Sequence, residues 1–232
     1  MELKKTLDHV FAFELIASAG LVLMMVFNTL TSYSALGLTG FWYMLDLRIE
    51  ANFATWLEST CMLLCFLPIH SILFNRGDHR LGRSSKIFFA LVLVMILFFS
   101  ADEMVGLHEK VGEKLSELSG IGDGTFLQGF SWVIFYIPLM AVGLAFMIFV
   151  VMDLLKRLPK GKKRKSLWLS AIIALAVVAI LFLEMGEAYI YNTLNSKVRF
   201  LTLFEESAEL VLICGFYRLM HTLYLGMIEP SV

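Results

Sequence analysis

The chain has 232 residues, of which 59% are hydrophobic and 17% are charged, and its formal net charge is −1. This apolar content is typical of polytopic membrane proteins rather than of soluble domains. The near-zero net charge gives no reason to expect nucleic-acid binding.

Six apolar segments of about 20 residues or more follow one another along the chain, each long enough to cross a bilayer as a helix. The predicted spans are residues 9–31, 51–74, 87–107, 127–153, 167–191 and 201–225. Between the first two, the aromatic segment 33–47 predicts a short interfacial helix. We therefore expect an all-α integral membrane protein, a bundle of six transmembrane helices forming one domain over residues 1–232.

Basic residues predict the orientation of these spans. They cluster before the first span at 4–5, between the second and third at 76–86, and between the fourth and fifth at 156–165. With six spans, all three clusters fall on one side of the membrane. Because basic loops face the cytoplasm, both termini are expected to be cytoplasmic.

Seven carboxylates are predicted in the outer half of the membrane, with no lysine or arginine at their depth. They are Glu58, Asp102, Glu103, Glu184, Glu187, Glu206 and Glu209. One ionised acid near the bilayer centre costs roughly 2.5–3.5 kcal/mol, so seven would cost on the order of 20 kcal/mol, more than the usual stability of a domain. Bound metal cations or protons must therefore compensate this charge.

Distances along the helices place these acids at a common depth. Counted from the basic residues at the cytoplasmic ends, Asp102 lies about 24 Å along the third span and Glu184 about 28 Å along the fifth. Glu184 and Glu187 share one stripe of the fifth span. On the third span, Asp102, Glu109 and Glu113 lie along one face (i, i+7, i+11), and His108 points about 100° away from Glu109. Acids from several helices therefore converge, as in carboxylate-bridged dimetal sites of helical bundles.

Three segments carry a resemblance to a group of bacterial multipass membrane proteins of unknown activity. Residues 50–56 resemble its signature E-x-N-x-x-T-W, residues 100–109 resemble S-x-D-E-x(4)-H-E, and residues 205–209 resemble E-E-x-x-E. The resemblance implies that a set of residues belongs together: Glu50, Asn52, Asp102, Glu103, His108, Glu109, Glu206 and Glu209. Glu58 departs from the pattern, in which a small or hydroxyl residue is expected, so we leave it out of the predicted ligands.

The sequence thus favours a membrane-embedded metalloprotein, most simply a metal-dependent hydrolase or oxidoreductase in the cytoplasmic (inner) membrane. The predicted metal ligands are Glu50, Glu103, His108, Glu109, Glu184, Glu206 and Glu209. Asp102 and Glu187 are predicted as the general base or as residues that orient the ligands. Carboxylates with one imidazole suit iron, manganese or zinc. The extracytoplasmic depth of the site favours a lipid or lipid-linked substrate.

Two other functions remain open on the sequence. Membrane acids also mark the pathways of divalent-cation or proton transporters. On the cytoplasmic side His9, His70 and His221 could ligate haem or could be structural, which would fit a haem-binding or structural subunit of a membrane complex. There we also predict an ion pair between Glu14 and Arg218.

Overall fold

The computed structural model describes residues 2–31, 39–46, 52–74, 81–121, 124–127, 132–194 and 199–228, and all regular elements within these ranges are α-helices. In chain order they are α1 (Glu2–Thr31), α2 (Thr39–Met44), α3 (Phe53–Leu64), α4 (Phe66–Phe74), α5 (Arg83–Val105), α6 (Leu107–Ser119), α7 (Trp132–Arg157), α8 (Lys160–Leu194) and α9 (Arg199–Ile228). The predicted all-α class is confirmed.

Among the residues that the structure describes, five helical segments are long and apolar enough to cross a membrane: α1, α3 together with α4, α5, α8 and α9. Large apolar side chains point outward from them, including Ile16 at 73% exposure and Phe182 at 70%. Such surfaces are stable in lipid and would be a liability in water. The predicted span 127–153 corresponds to α7, a 26-residue helix that contains Pro138. Helices of this length and apolarity are those expected of a membrane protein.

Helix α9 forms the centre of the bundle. In α9, 72% of the most apolar stretch is buried, against 39% or less in the other candidate spans. It packs along α8 and also contacts α1, α3 and α4. Tyr217 on α9 is fully buried, stacks on Phe11 of α1, and donates a hydrogen bond of 2.9 Å to the carbonyl of Leu7. Side chains of α9 can therefore meet residues from most of the other helices.

The second predicted span, residues 51–74, consists of two helices rather than one. Helix α3 ends at Leu64, with Cys65 as its C-cap, and α4 begins at Phe66. Pro68 accounts for this break, because its ring clashes with the carbonyl four residues earlier and it has no N–H to donate. The first turn of α4 tolerates proline because its N–H would be unpaired there.

Helix α5 ends at Gly106, which corrects the predicted helical face on the third span. Gly106 has φ 57°, and its N–H bonds to the carbonyl of Asp102 at 2.7 Å. This left-handed conformation is accessible to glycine at little cost and ends a helix. Asp102 and Glu109 belong to different helices, so the expectation that they share a face of one continuous helix was wrong.

The segment predicted as an interfacial helix, 33–47, is described only in part, since residues 32–38 and 47–51 lie outside the described ranges. Within it the structure has the six-residue helix α2. Asn28 at the end of α1 donates a hydrogen bond of 2.9 Å to the carbonyl of Trp42, and the Phe27 and Trp42 rings lie 4.8 Å apart. These contacts fix α2 against the end of α1.

Helix α8 has 35 residues and includes most of the basic run that the sequence places in a loop. The basic side chains from Lys160 to Lys165 therefore belong to the same helix as Glu184.

Candidate metal centre

Three carboxylates from three helices converge at one point of the bundle. They belong to Glu58 on α3, Glu103 on α5 and Glu209 on α9, and one oxygen from each lies within 4.8 Å of the other two. We call this group the carboxylate centre. Glu103 and Glu209 are among the predicted ligands, whereas Glu58 was left out of that set.

Glu58 is the most buried member of the carboxylate centre. Its side chain is 0% exposed, and neither of its oxygens has a hydrogen-bond partner among the described residues. The groups that act on it electrostatically are Glu103, Glu209, Glu206 and Cys214, which are acids and a thiol. A buried ionised carboxylate with acidic neighbours is strongly destabilising unless a positive charge or a proton accompanies it.

Further acids surround the carboxylate centre. Glu206 interacts electrostatically with Glu209, Glu103, Glu184 and also Asp46. Glu205 on α9 likewise interacts with Glu184 on α8 and with Glu209 and Glu206. Acidic side chains therefore surround the centre on α8 as well as on α9.

A pair of serines holds α3 against α5 beside the centre. The Ser59 and Ser100 hydroxyls lie 2.7 Å apart, and the Ser59 hydroxyl is also 2.7 Å from the carbonyl of Ser100. Both side chains are buried. Ser59 follows Glu58, and Ser100 lies one helical turn before Glu103. The serine pair therefore sets the separation of these two carboxylates.

Two residues of the first signature, Asn52 and Thr55, stabilise the start of α3. The Asn52 side chain accepts hydrogen bonds from the backbone N–H groups of Ala54 and Thr55, and the Thr55 hydroxyl accepts one from the backbone N–H of Asn52. This is a capping box. The Asn52 amide also donates to the carbonyls of Asp46 and Tyr43. Asn52 and Thr55 thus position the helix that carries Glu58.

The two predicted catalytic residues lie outside the group of three. Glu187 accepts hydrogen bonds from the Thr202 hydroxyl at 3.1 and 3.2 Å, which joins α8 to α9. Asp102 is 5% exposed and precedes Glu103, so it points about 100° around α5 from the carboxylate centre. Glu50 and the side chains of His108 and Glu109 lie outside the described residues.

The predicted ion pair between Glu14 and Arg218 is not formed, and this expectation is corrected. The Arg218 guanidinium lies 3.2 Å from the Asp8 carboxylate and donates toward Nδ1 of His221 at 3.1 Å. Asp8 is 46% exposed, so the pair forms near solvent, where the charges need less desolvation. Glu14 is 0% exposed, and neither of its oxygens has a hydrogen-bond partner in the described part of the chain.

The histidines considered for haem have unlike environments. His70 is exposed on α4 between the rings of Phe66 and Phe74. His221 is fully buried and contacts Arg218. Since the guanidinium can only donate, Nδ1 of His221 accepts this hydrogen bond.

One family model, described as a domain of unknown function (DUF8692), matches residues 11–222. The match covers the carboxylate centre as well as Glu14. No curated protein and no solved structure matches the chain.

Proposed function

This chain belongs to the DUF8692 family, and we propose that it is a membrane-embedded metalloprotein whose metal is bound at the carboxylate centre. The observation that carries the proposal is the approach of one oxygen each from Glu58, Glu103 and Glu209 to within 4.8 Å of one another. Two oxygens bound to the same Zn²⁺ or Ca²⁺ ion are separated by at most about 4–5 Å, twice the metal–oxygen distance.

The donor set supports a metal with a preference for oxygen ligands. Glu58, Glu103 and Glu209 would hold the ion, and Glu206 would add a fourth carboxylate. Glu184 and the predicted ligands His108 and Glu109 would complete the set. Iron, manganese and zinc fit such ligands. The unpartnered oxygens of Glu58 are those that a cation would satisfy.

The chemistry that fits this centre is metal-dependent hydrolysis or oxidation. A bound divalent ion lowers the pKa of a coordinated water and polarises a carbonyl or phosphoryl oxygen. The residues of the chain hold the carboxylates in place through the serine pair and through the capping box of Asn52 and Thr55. Asp102 remains proposed as the general base or as a residue that orients the ligands. Glu187, through Thr202, keeps α8 and α9 in register. The apolar outer surface of the helices favours a lipid or lipid-linked substrate.

We further propose six spans in the inner membrane, with both termini in the cytoplasm and the carboxylate centre facing the extracytoplasmic side. Thr125→Cys should react with a membrane-impermeant thiol reagent in intact cells, whereas Gly161→Cys should react only after lysis. Both positions are exposed, and the native Cys61, Cys65 and Cys214 are buried and should stay silent. The reverse labelling pattern would place the centre on the cytoplasmic side.

Elemental analysis of detergent-purified protein tests the metal centre directly. We expect wild-type protein to contain at least one divalent metal per chain, and Glu103→Gln and Glu209→Gln to lose most of it. Mutation of a residue that only orients a metal ligand typically costs about 10–100-fold in affinity, and these two residues are proposed as ligands themselves. Glu117→Gln is the matched control, since Glu117 is an exposed acid on α6 that pairs with Lys114. Wild-type protein that purifies without metal and cannot be reloaded would instead leave protons as the compensating charge.

A further inference from the structure

Helix α6 carries a stripe of apolar side chains that point away from the rest of the protein. It consists of Leu107, Val111, Leu115 and Leu118, which lie within about 80° of one another around the helix axis. All four are exposed, from 37% at Leu107 to 77% at Leu118. We call these four residues the α6 stripe. Because adjoining apolar side chains rarely face water in this way, the stripe indicates a contact surface.

The other sides of α6 face the protein and water. The helix packs against α7, and its buried residues Gly112 and Ser116 lie one turn apart. Away from both the stripe and the buried side, charged residues are exposed, and the Lys114 ammonium forms an ion pair with the Glu117 carboxylate. Glu113 and Glu117 point more than about 100° away from the middle of the stripe. Apolar and charged side chains are therefore separated around the helix, as in helices that lie at a membrane surface.

Helix α6 begins where a candidate membrane span ends. The 23 residues of α5 rise roughly 34 Å, close to the roughly 30 Å of a hydrocarbon layer. Exposed apolar side chains continue along α5 to its last residue, with Leu97 at 53% and Val105 at 50% exposure. Gly106 alone separates the two helices, and the Lys110 ammonium on α6 donates a hydrogen bond to the carbonyl of Val105. The α6 stripe thus continues the apolar surface of α5.

The length of the stripe favours an orientation of α6 along the membrane surface. From Leu107 to Leu118 the helix rises about 16 Å. If its axis pointed away from the membrane, Leu118, the most exposed residue of the stripe, would lie that far out in water. With the axis in the plane of the membrane, all four side chains enter the lipid to the same depth. Interfacial helices bury their apolar face about 5–10 Å into the boundary of headgroups and acyl chains.

The charges of α6 favour zwitterionic lipid as the partner of the stripe. Packing against a second helix needs an apolar seam with spacings of three and four residues, and the seam position between Val111 and Leu118 is Lys114. A second helix would have to cover this lysine and its ion pair with Glu117, which is exposed. Anionic lipid is not favoured either, because α6 has two lysines against three glutamates.

We propose that α6 is an interfacial helix, with the α6 stripe among the acyl chains of zwitterionic lipids and with Glu113 and Glu117 in water. The proposal rests on α5 as one of the proposed spans and does not depend on metal at the carboxylate centre. Glu103 lies three residues before Gly106, about 5 Å along the helix. Helix α6 would therefore hold the carboxylate centre about one helical turn below the lipid headgroups.

Nitroxide labels on the full chain in phosphatidylcholine nanodiscs measure the depth of α6. Power-saturation EPR compares the access of oxygen, which concentrates in lipid, with that of a neutral nickel chelate, which stays in water. Labels at Leu115→Cys and Leu118→Cys should lie about 5–10 Å below the phosphate groups. Glu117→Cys is the matched control, since it adjoins Leu118 but points about 100° away, and its label should be in water. The native cysteines are buried and should take up little label.

Val94→Cys on α5 is the reference for lipid, because Val94 is exposed about halfway along that helix. Equal nickel access at Leu118→Cys and Glu117→Cys, with Val94→Cys in lipid, would overturn the proposal. Low access of both reagents at Leu115→Cys and Leu118→Cys would also overturn it, since protein would then cover the stripe. A Val94→Cys label in water would overturn the span and the proposal together. Leu115→Cys gives the answer independently if Leu118→Cys does not fold. Metal content, measured separately, bears on the carboxylate centre alone.

Discussion

Glu58→Met protein is expected to melt at a higher temperature than wild type when both are metal-free, and at a lower temperature when both are saturated with metal. Without metal, the wild-type fold must bury an acid whose electrostatic neighbours are acids and a thiol. Even buried ion pairs can often be replaced by apolar side chains of similar volume at no cost or with a gain of about 1–4 kcal/mol, and Glu58 has no cation as a partner among the described residues. With metal bound, the Glu58 carboxylate becomes a ligand that methionine cannot replace, so the wild type should melt at the higher temperature.

The second half of this expectation follows from mass action. A ligand that binds only the folded state adds about 4 kcal/mol of stability at a thousand times its dissociation constant. Glu58→Met removes one of the three converging carboxylates, so bound metal should stabilise this variant much less than the wild type. Differential scanning fluorimetry in detergent, with and without added Mn²⁺ or Zn²⁺, would show the two melting curves crossing. An equal metal-induced shift in wild type and Glu58→Met would remove Glu58 from the ligand set.

Tyr217→Ala should lower the free energy of unfolding by about 3–5 kcal/mol, the range measured when large aromatic side chains in cores are truncated to alanine. Tyr217 is 0% exposed on α9, and the cavity would open between α9 and Phe11 of α1. Tyr217→Phe keeps the ring and loses only the bond to the carbonyl of Leu7, so it should cost about 1 kcal/mol.

Phe204→Ala on the same helix is the control for Tyr217→Ala, because Phe204 is 60% exposed toward the surroundings of the bundle. Unfolding by increasing SDS in mixed micelles measures all three variants under the same conditions. If Phe204→Ala destabilised the protein as much as Tyr217→Ala, α9 would not be the packed centre of the bundle.

The helical class was readable from the sequence, whereas the helix breaks were not. Hydropathy over about 20 residues identifies a span because the bilayer requires that length. Gly106 and Pro68 each break a helix within a single turn. Neither lowers the mean hydropathy over a segment of about 20 residues enough to reveal the break. The face assigned to Asp102 and Glu109 failed for this reason.

At the carboxylate centre, depth along the helix was a better guide than resemblance. Glu58 lies about 15 Å inward from Arg48, at the depth of the other acids, yet it was left out because it departs from the signature. The three signatures contain residues with different roles. Asn52 and Thr55 cap α3, while Glu103 and Glu209 approach Glu58. A sequence pattern does not separate residues that hold a helix from residues that could hold an ion.

The predicted pairing of Glu14 with Arg218 was wrong because it was based on depth in the membrane. Depth gives the position of a residue along the helix axis, but not the direction in which its side chain points around that axis. Arg218 turns to Asp8 and His221, and Glu14 turns to the cysteines and Tyr217. Which neighbour a side chain meets depends on the rotation of α1 against α9, and that rotation is set by packing such as Phe11 on Tyr217.

The length of α8 links Glu184, one of the acids beside the carboxylate centre, to the lipid around the protein. Its 35 residues make a rod of about 52 Å, which exceeds the roughly 30 Å hydrocarbon layer by about 20 Å. Lysine and arginine side chains near a helix end settle among the phosphate headgroups. Glu184 follows Lys165 by about 28 Å of rigid helix. In the proposed orientation, a thicker bilayer leaves Glu184 further below the opposite surface and a thinner one brings it closer. Membrane composition would then set how readily water reaches the acids.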